Sequence, residues 1–185
     1  MVPLLLAACG GLAERPYTER REWPLLVRRQ QALPPRPGGP VLEVQTLRAG
    51  PGLEARGLQS LQPDGSIRTD YYEEWAVPPA QGVEDALRQW LADCGRFAAV
   101  VAPGSRMAAD LVLEGELTAL WSEPAAGRAH AAVSVVVVEQ RAVTPRILLQ
   151  RTAAAAAPEA VAAQIAALAL VFGQIEAALE VAGMP

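Results

Sequence analysis

The sequence predicts an α+β fold, a mostly antiparallel β-sheet with two amphipathic helices packed on one face. Three observations predict it. Residues 69–101 read as strand, break, helix and strand. Residues 110–139 read as two alternating strands joined by a Pro/Gly turn. The chain then runs into a long helix whose apolar residues fall on one seam.

Taken in order, residues 23–29 form a short strand, with Pro24 marking it as an edge. The run LPPRPGGP, 33–40, blocks regular structure. Residues 41–47 alternate as a strand, and Pro51-Gly52 turns the chain. Residues 57–61 and 66–75 make the arms of a hairpin about Pro63-Asp64-Gly65. Tyr71, Glu73 and Trp75 alternate with Tyr72, Glu74 and Ala76 until Pro78 and Pro79 stop the strand. Pro79 opens a helix, and Val83, Leu87, Trp90, Leu91 and Cys94 form its apolar stripe. Glu84 and Asp85 suit its positive end, and Gly95 its left-handed cap. Residues 97–101 are extended and 102–108 a loop.

Residues 110–121 alternate, with Leu111, Leu113, Gly115, Leu117, Ala119 and Trp121 on one face and Glu114, Glu116 and Thr118 on the other. Residues 124–127 turn, 128–139 return as a strand, Pro145 interrupts, and 147–152 form a further strand. A helix over 158–181 carries Val161, Ile165, Leu168, Phe172, Ile175 and Leu179 along one side, fit for lying on a sheet. A coiled-coil seam ranks second, because alanine rather than charge fills the flanking positions.

Of the chain, 51% is hydrophobic, enough for a core, though much of it is alanine, which buries little area per residue. A net charge of -4 argues against nucleic acid, which needs a basic patch. The basic residues are all arginine and are scattered.

Leu6-Ala7-Ala8-Cys9 has the form of a bacterial lipobox. In that chemistry the Cys9 thiol is the nucleophile that takes a diacylglycerol group. The chain is cut before it and the new amine is acylated. The expected organisation is therefore 1–8 as a signal-peptide remnant, 9–22 as lipidated Cys9 with a flexible tether, and 23–185 as one periplasmic domain. Fully stretched, residues 10–22 would reach roughly 45 Å at ~3.4 Å each. No basic residue precedes Cys9 and the apolar run is short, so a start upstream of Met1 is expected.

Other residues with chemistry have plainer readings. His130 is the sole histidine, flanked by Ala129 and Ala131 in a strand. A triad with Ser105, Ser122 or Ser134 has no nucleophile-elbow motif to support it. Cys94 reads as a small core residue. The carboxylate pairs Glu73/Glu74 and Glu114/Glu116 read as solvated sheet positions rather than acid–base or metal sites. Trp75 and Trp90 read as core. No catalytic residue, metal or cofactor is expected.

The order of lipobox, tether, VLEV (41–44), PGLEARGL (51–58), YYEEWAVPP (71–79), a helix ending in DCGRF (93–97), DLVLEGELTALW (110–121) and an Ala-rich terminal helix resembles the ABC-type transport auxiliary lipoproteins. These are outer-membrane partners of MCE and paraquat-inducible transport systems. The resemblance implies a non-enzymatic, lipid-anchored protein facing the periplasm. It implies an MCE-domain protein and an ABC permease complex as partners, and it allows a ring-like homo-oligomer. A lipid-anchored periplasmic hydrolase and a purely structural envelope lipoprotein are the alternatives. The first is disfavoured because no nucleophile–base arrangement is legible.

Overall fold

A computed structural model describes residues 17–141, 144, 146–158 and 160–182. Its order is β1 (Arg21–Trp23), β2 (Val41–Val44), β3 (Arg48–Ala49), β4 (Gly57–Leu61), β5 (Ile67–Trp75), α1 (Pro79–Ala92), β6 (Ala99–Val101), β7 (Leu111–Glu123), a 3-10 turn, β8 (Arg128–Glu139), β9 (Arg146–Pro158) and α2 (Ala160–Val181).

The sheet is organised about β7. Along one edge it pairs antiparallel with β8, from Leu111↔Glu139 to Glu123↔Arg128. Along the other edge it takes three short strands end to end, all parallel: β2 at Leu42↔Leu111, β3 at Arg48↔Glu116 and β4 at Ser60↔Ser122. Beyond them lie β6, parallel to β2, and β5, antiparallel to β4, with β1 parallel to β5 at the rim. The other rim is β9, antiparallel to β8.

The sheet is thus mixed, and the expectation of a mostly antiparallel one is corrected. Hairpins carry local signals: Gly65 sits at φ 84 and Gly127 at φ 60, the left-handed values tight turns require. Parallel pairs need a crossover. Here α1 and the β4–β5 hairpin stand between β2 and its parallel neighbours, so no turn residue announces them.

α1 opens with Pro79 at its first turn, and no side chain caps it. Val83, Leu87, Trp90, Leu91 and Cys94 are all buried, as the stripe requires. The first turn holds no acid. Glu84 instead accepts from the Leu47 N–H at 3.2 Å and from Arg88 at 3.3 Å, tying α1 to the segment before β3. Gly95 has φ 72 and lies against Leu33.

α2 begins at Ala160, and β9 runs on through the alanines to Pro158, past the predicted end at 152. Leu168, Phe172, Ile175 and Leu179 are buried, with Ile165 half-buried; the side chain of Val161 and residue Pro145 lie outside the described residues. The helices meet where Trp90 and Phe172 pack edge to face, centroids 5.7 Å apart. Leu113, Leu117, Val133, Val135 and Val137 close the core from the sheet side.

The alternation predicted for 110–121 breaks at one point. A bulge at Thr118 shifts the register between Leu117 and Ala119. Leu120, opposite Ala131, takes the core face, while Trp121 pairs with His130 on the other. Trp23 ends β1 rather than opening a strand, and Arg21 and Glu22, assigned to the tether, belong to the sheet.

Candidate functional site

Cys9, the predicted lipidation site, lies outside the described residues. The structure shows where the chain downstream of it is fastened. Tyr17 is 91% exposed and the residues after it lead directly into β1 on the sheet rim. β1 covers only the Glu73–Trp75 end of β5. Arg20 lies 4.5 Å over the Tyr71 ring, and its Nε donates to the Tyr71 carbonyl at 3.2 Å. Tyr71 stacks edge-on against Tyr72 at 5.1 Å, and both are exposed.

Beneath these rings is a charged network. Glu74, only 7% exposed, accepts from Arg56 at 2.8 Å and lies 3.8 Å from Arg20. Arg56 also reaches Glu22 at 3.5 Å and the Ala76 carbonyl at 3.1 Å. Glu73 pairs with Arg21 at 3.5 Å and accepts from the Trp23 indole. Asp70 receives the Tyr72 N–H at 2.8 Å and the Glu73 N–H at 3.0 Å; these backbone donors hold its carboxyl below the usual range. Glu73 and Glu74 therefore each serve arginines that clamp β1 to β5. Sequence reasoning missed Arg20, Arg21 and Arg56 in this role, because their partners are distant in sequence.

The other candidates are dispersed. His130 Nε2 is 3.0 Å from Glu123, which Arg128 also engages at 2.7 Å; Arg128 first and His130 second hold the Glu123 carboxyl low. Ser122 Oγ donates to the Gln59 carbonyl, Ser134 Oγ accepts from Thr152, and Ser105 Oγ accepts from the Met107 N–H. None of these contacts is with His130. The Cys94 thiol is buried and pushed up by that burial, away from thiolate character. Glu116 pairs with Arg48 at 3.3 Å. Among the described residues no group of three potential ligands gathers for a metal. Trp75 and Trp90 are core; Trp90 also donates to Glu176 at 2.9 Å, which Arg29 grips with two bonds of 2.8 and 3.2 Å. A cleft of about 550 Å³ lies between residues 25–32 and α1, with Asp85, Gln89 and Asp93 among its lining.

The family model described as ABC-type transport auxiliary lipoprotein component matches residues 25–177. No curated protein matches in sequence. Among solved structures, protein XCC0632 from Xanthomonas campestris, a DUF330 protein, is similar at 20% identity and TM-score 0.61, covering 83% of this chain and 94% of its own. Protein CT253 from Chlamydia trachomatis is similar at 12% identity and TM-score 0.53, covering 79% and 97%. At such identities these two carry the fold alone.

Proposed function

The chain belongs to the ABC-type transport auxiliary lipoprotein family, and from that premise we propose that it is a non-enzymatic subunit of an ABC/MCE-type system moving lipid across the envelope. In this reading Cys9 carries the acyl anchor in the outer membrane. The folded domain faces the periplasm, where it meets an MCE-domain protein and the permease complex. The family match over residues 25–177 carries the reading. Two features of the chain support it. The lipobox Leu6-Ala7-Ala8-Cys9 precedes the matched region. Tyr17, Arg20, Tyr71 and Tyr72 stand exposed on the rim where the chain arrives from Cys9, and aromatic rings and arginine suit a headgroup layer.

The test is capture of the intact lipoprotein from detergent-solubilised membranes. An MCE-domain protein and an ABC permease should co-purify in stoichiometric amount. Recovery of the lipoprotein without either would remove the transport reading and leave a structural envelope role.

A further inference from the structure

The cleft beside α1 has a wall made of main chain. The segment after β1 is pressed to α1 at two points. At one, Leu25 lies against Gly82, where a Cβ would come within 3.1 Å of the Leu25 Cβ. At the other, the Leu33 N–H donates to the Asp93 carbonyl at 2.8 Å. Between them opens the cleft of about 550 Å³, and residues 25–30 line it without a gap. Side chains that alternate from face to face cannot alone line a cavity in that way, so the backbone itself faces in.

That backbone is unpaired. Leu25 and Val27 are 6% and 3% exposed, yet among the described residues neither the N–H nor the carbonyl of either takes a hydrogen bond. Buried main-chain groups are rarely left so, because they have given up water and gained nothing for it. In an extended chain, residues two apart aim these groups at the same edge. Leu25 and Val27 therefore offer the pattern of an edge strand, and a second extended backbone is what completes it.

The opposite wall fixes the charge of the occupant. Asp85, Gln89 and Asp93 form one row along α1. Asp85 is held by Arg88 on the helix surface. The Asp93 carboxylate is engaged by the Gln89 amide at 3.0 Å, and among the described residues no arginine pairs with it. It also closes the C-terminal end of α1, where the helix dipole adds negative potential. Arg28 and Arg29 stand on the segment's wall instead, Arg29 bound to Glu176. Cationic side chains of an occupant thus suit the α1 wall.

We infer that this cleft takes an extended segment of another protein by strand addition: its backbone pairs with Leu25 and Val27, and two basic side chains face Asp85 and Asp93. The acidic row spans about 12 Å at ~1.5 Å per residue. Same-side residues of an extended chain recur at about 6.8 Å, so the two basic residues stand four apart. Residues 1–16 of this chain cannot supply that pattern, since Arg15 is their sole basic residue. A small amphiphile could fill the volume, but it brings no row of donors and acceptors.

The full chain carrying Cys9→Ser is used to select from a phage-displayed library of random decapeptides. Selected sequences should carry arginine or lysine at two positions four apart. The synthetic consensus peptide should slow amide exchange at Leu25 and Val27. Asp93→Asn and Asp85→Lys should each weaken its binding about tenfold, while Glu54→Lys, at an exposed acid elsewhere, should leave it unchanged. Should Asp93→Asn fail to fold in a thermal melt, Asp85→Lys on the exposed surface decides. Methylating alternate peptide nitrogens should abolish binding in one register and spare it in the other. The inference is overturned if no sequence is selected, if the selected ones lack basic residues, or if protection bypasses Leu25 and Val27. Binding indifferent to the aspartate variants, or lost equally in both methylated registers, overturns it as well.

Discussion

Trp75 shows how much one side chain can join. It ends β5, pairs with Trp23 of β1 and is 1% exposed. Its N–H donates to the Arg56 carbonyl at 2.8 Å, so the core and the rim network meet at this residue. Trp75→Ala should cost roughly 3–5 kcal/mol and Leu87→Ala roughly 2–5. At ~2–4 °C per kcal/mol for a domain of this size, midpoints should fall on the order of 10 °C in a thermal melt. Unshifted midpoints would contradict the packing of α1 on the sheet. Asp70 gives a prediction with a sign in pH. Its folded-state pKa is lowered, first by the Tyr72 N–H. The stabilisation is therefore present above the unfolded value of about 3.9 and disappears as pH falls through the folded one. Asp70→Ala should lower the midpoint at neutral pH, and the gap from wild type should close as pH falls below the unfolded value and through the lowered folded one. A constant gap across that range would assign the loss to something other than the carboxylate.

At the scale of elements, the readable parts are those with local causes. The α1 stripe, the Pro79 start and the Gly95 break follow from residues within a few positions of each other, and the structure has them. The parallel strands β2, β3 and β4 do not, because their shared partner β7 follows only after α1 and β6. The Thr118 bulge escaped as well, since an apolar residue occupies each candidate position from Leu117 to Trp121 except Thr118 itself. Of the site, Glu73 and Glu74 stand out in the sequence, whereas their partners Arg20, Arg21 and Arg56 do not, because those pairs form only at the β1–β5 rim. Two glycines separate backbone from packing effects. Gly95 combines φ 72 with a position where a Cβ would come within 2.8 Å of the Leu33 Cβ. Gly127 has φ 60 with open space around it. Gly95→Ala should thus cost clearly more than Gly127→Ala, which bears only the ~1–2 kcal/mol left-handed penalty. Gly173 in α2 has open space and no such φ. Gly173→Ala should raise stability by about 0.4–1 kcal/mol. Chemical denaturation of the three variants checks the order, and equal losses at Gly95 and Gly127 would mean that Leu33 yields freely.

At the scale of the molecule, the arrangement has direction. The N-terminal chain reaches the β1 rim, the β9 rim lies at the far side of the sheet, and the core with both helices lies between. An anchor at Cys9 would therefore leave the β9 rim free of the attachment point. The anchoring itself is decided by acyl chemistry. Each buried methylene contributes ~0.8 kcal/mol, and a single chain holds a protein only marginally, so three chains on Cys9 should make attachment effectively permanent. Expressed with a complete signal peptide, the wild type should fractionate with membranes, and its intact mass should fit a chain starting at Cys9 with a triacyl addition. Cys9→Ser leaves no thiol to alkylate, so the protein should stay unprocessed or pass to the soluble periplasm. In enteric bacteria an aspartate after the cysteine tends to retain a lipoprotein in the inner membrane, and Gly10 stands there instead; in such a host a Gly10→Asp variant should shift the protein toward the inner-membrane fraction on a sucrose gradient. An unmodified cysteine in a soluble wild-type protein would detach the domain from any membrane. The aromatic and arginine side chains on the β1 rim would then need another partner.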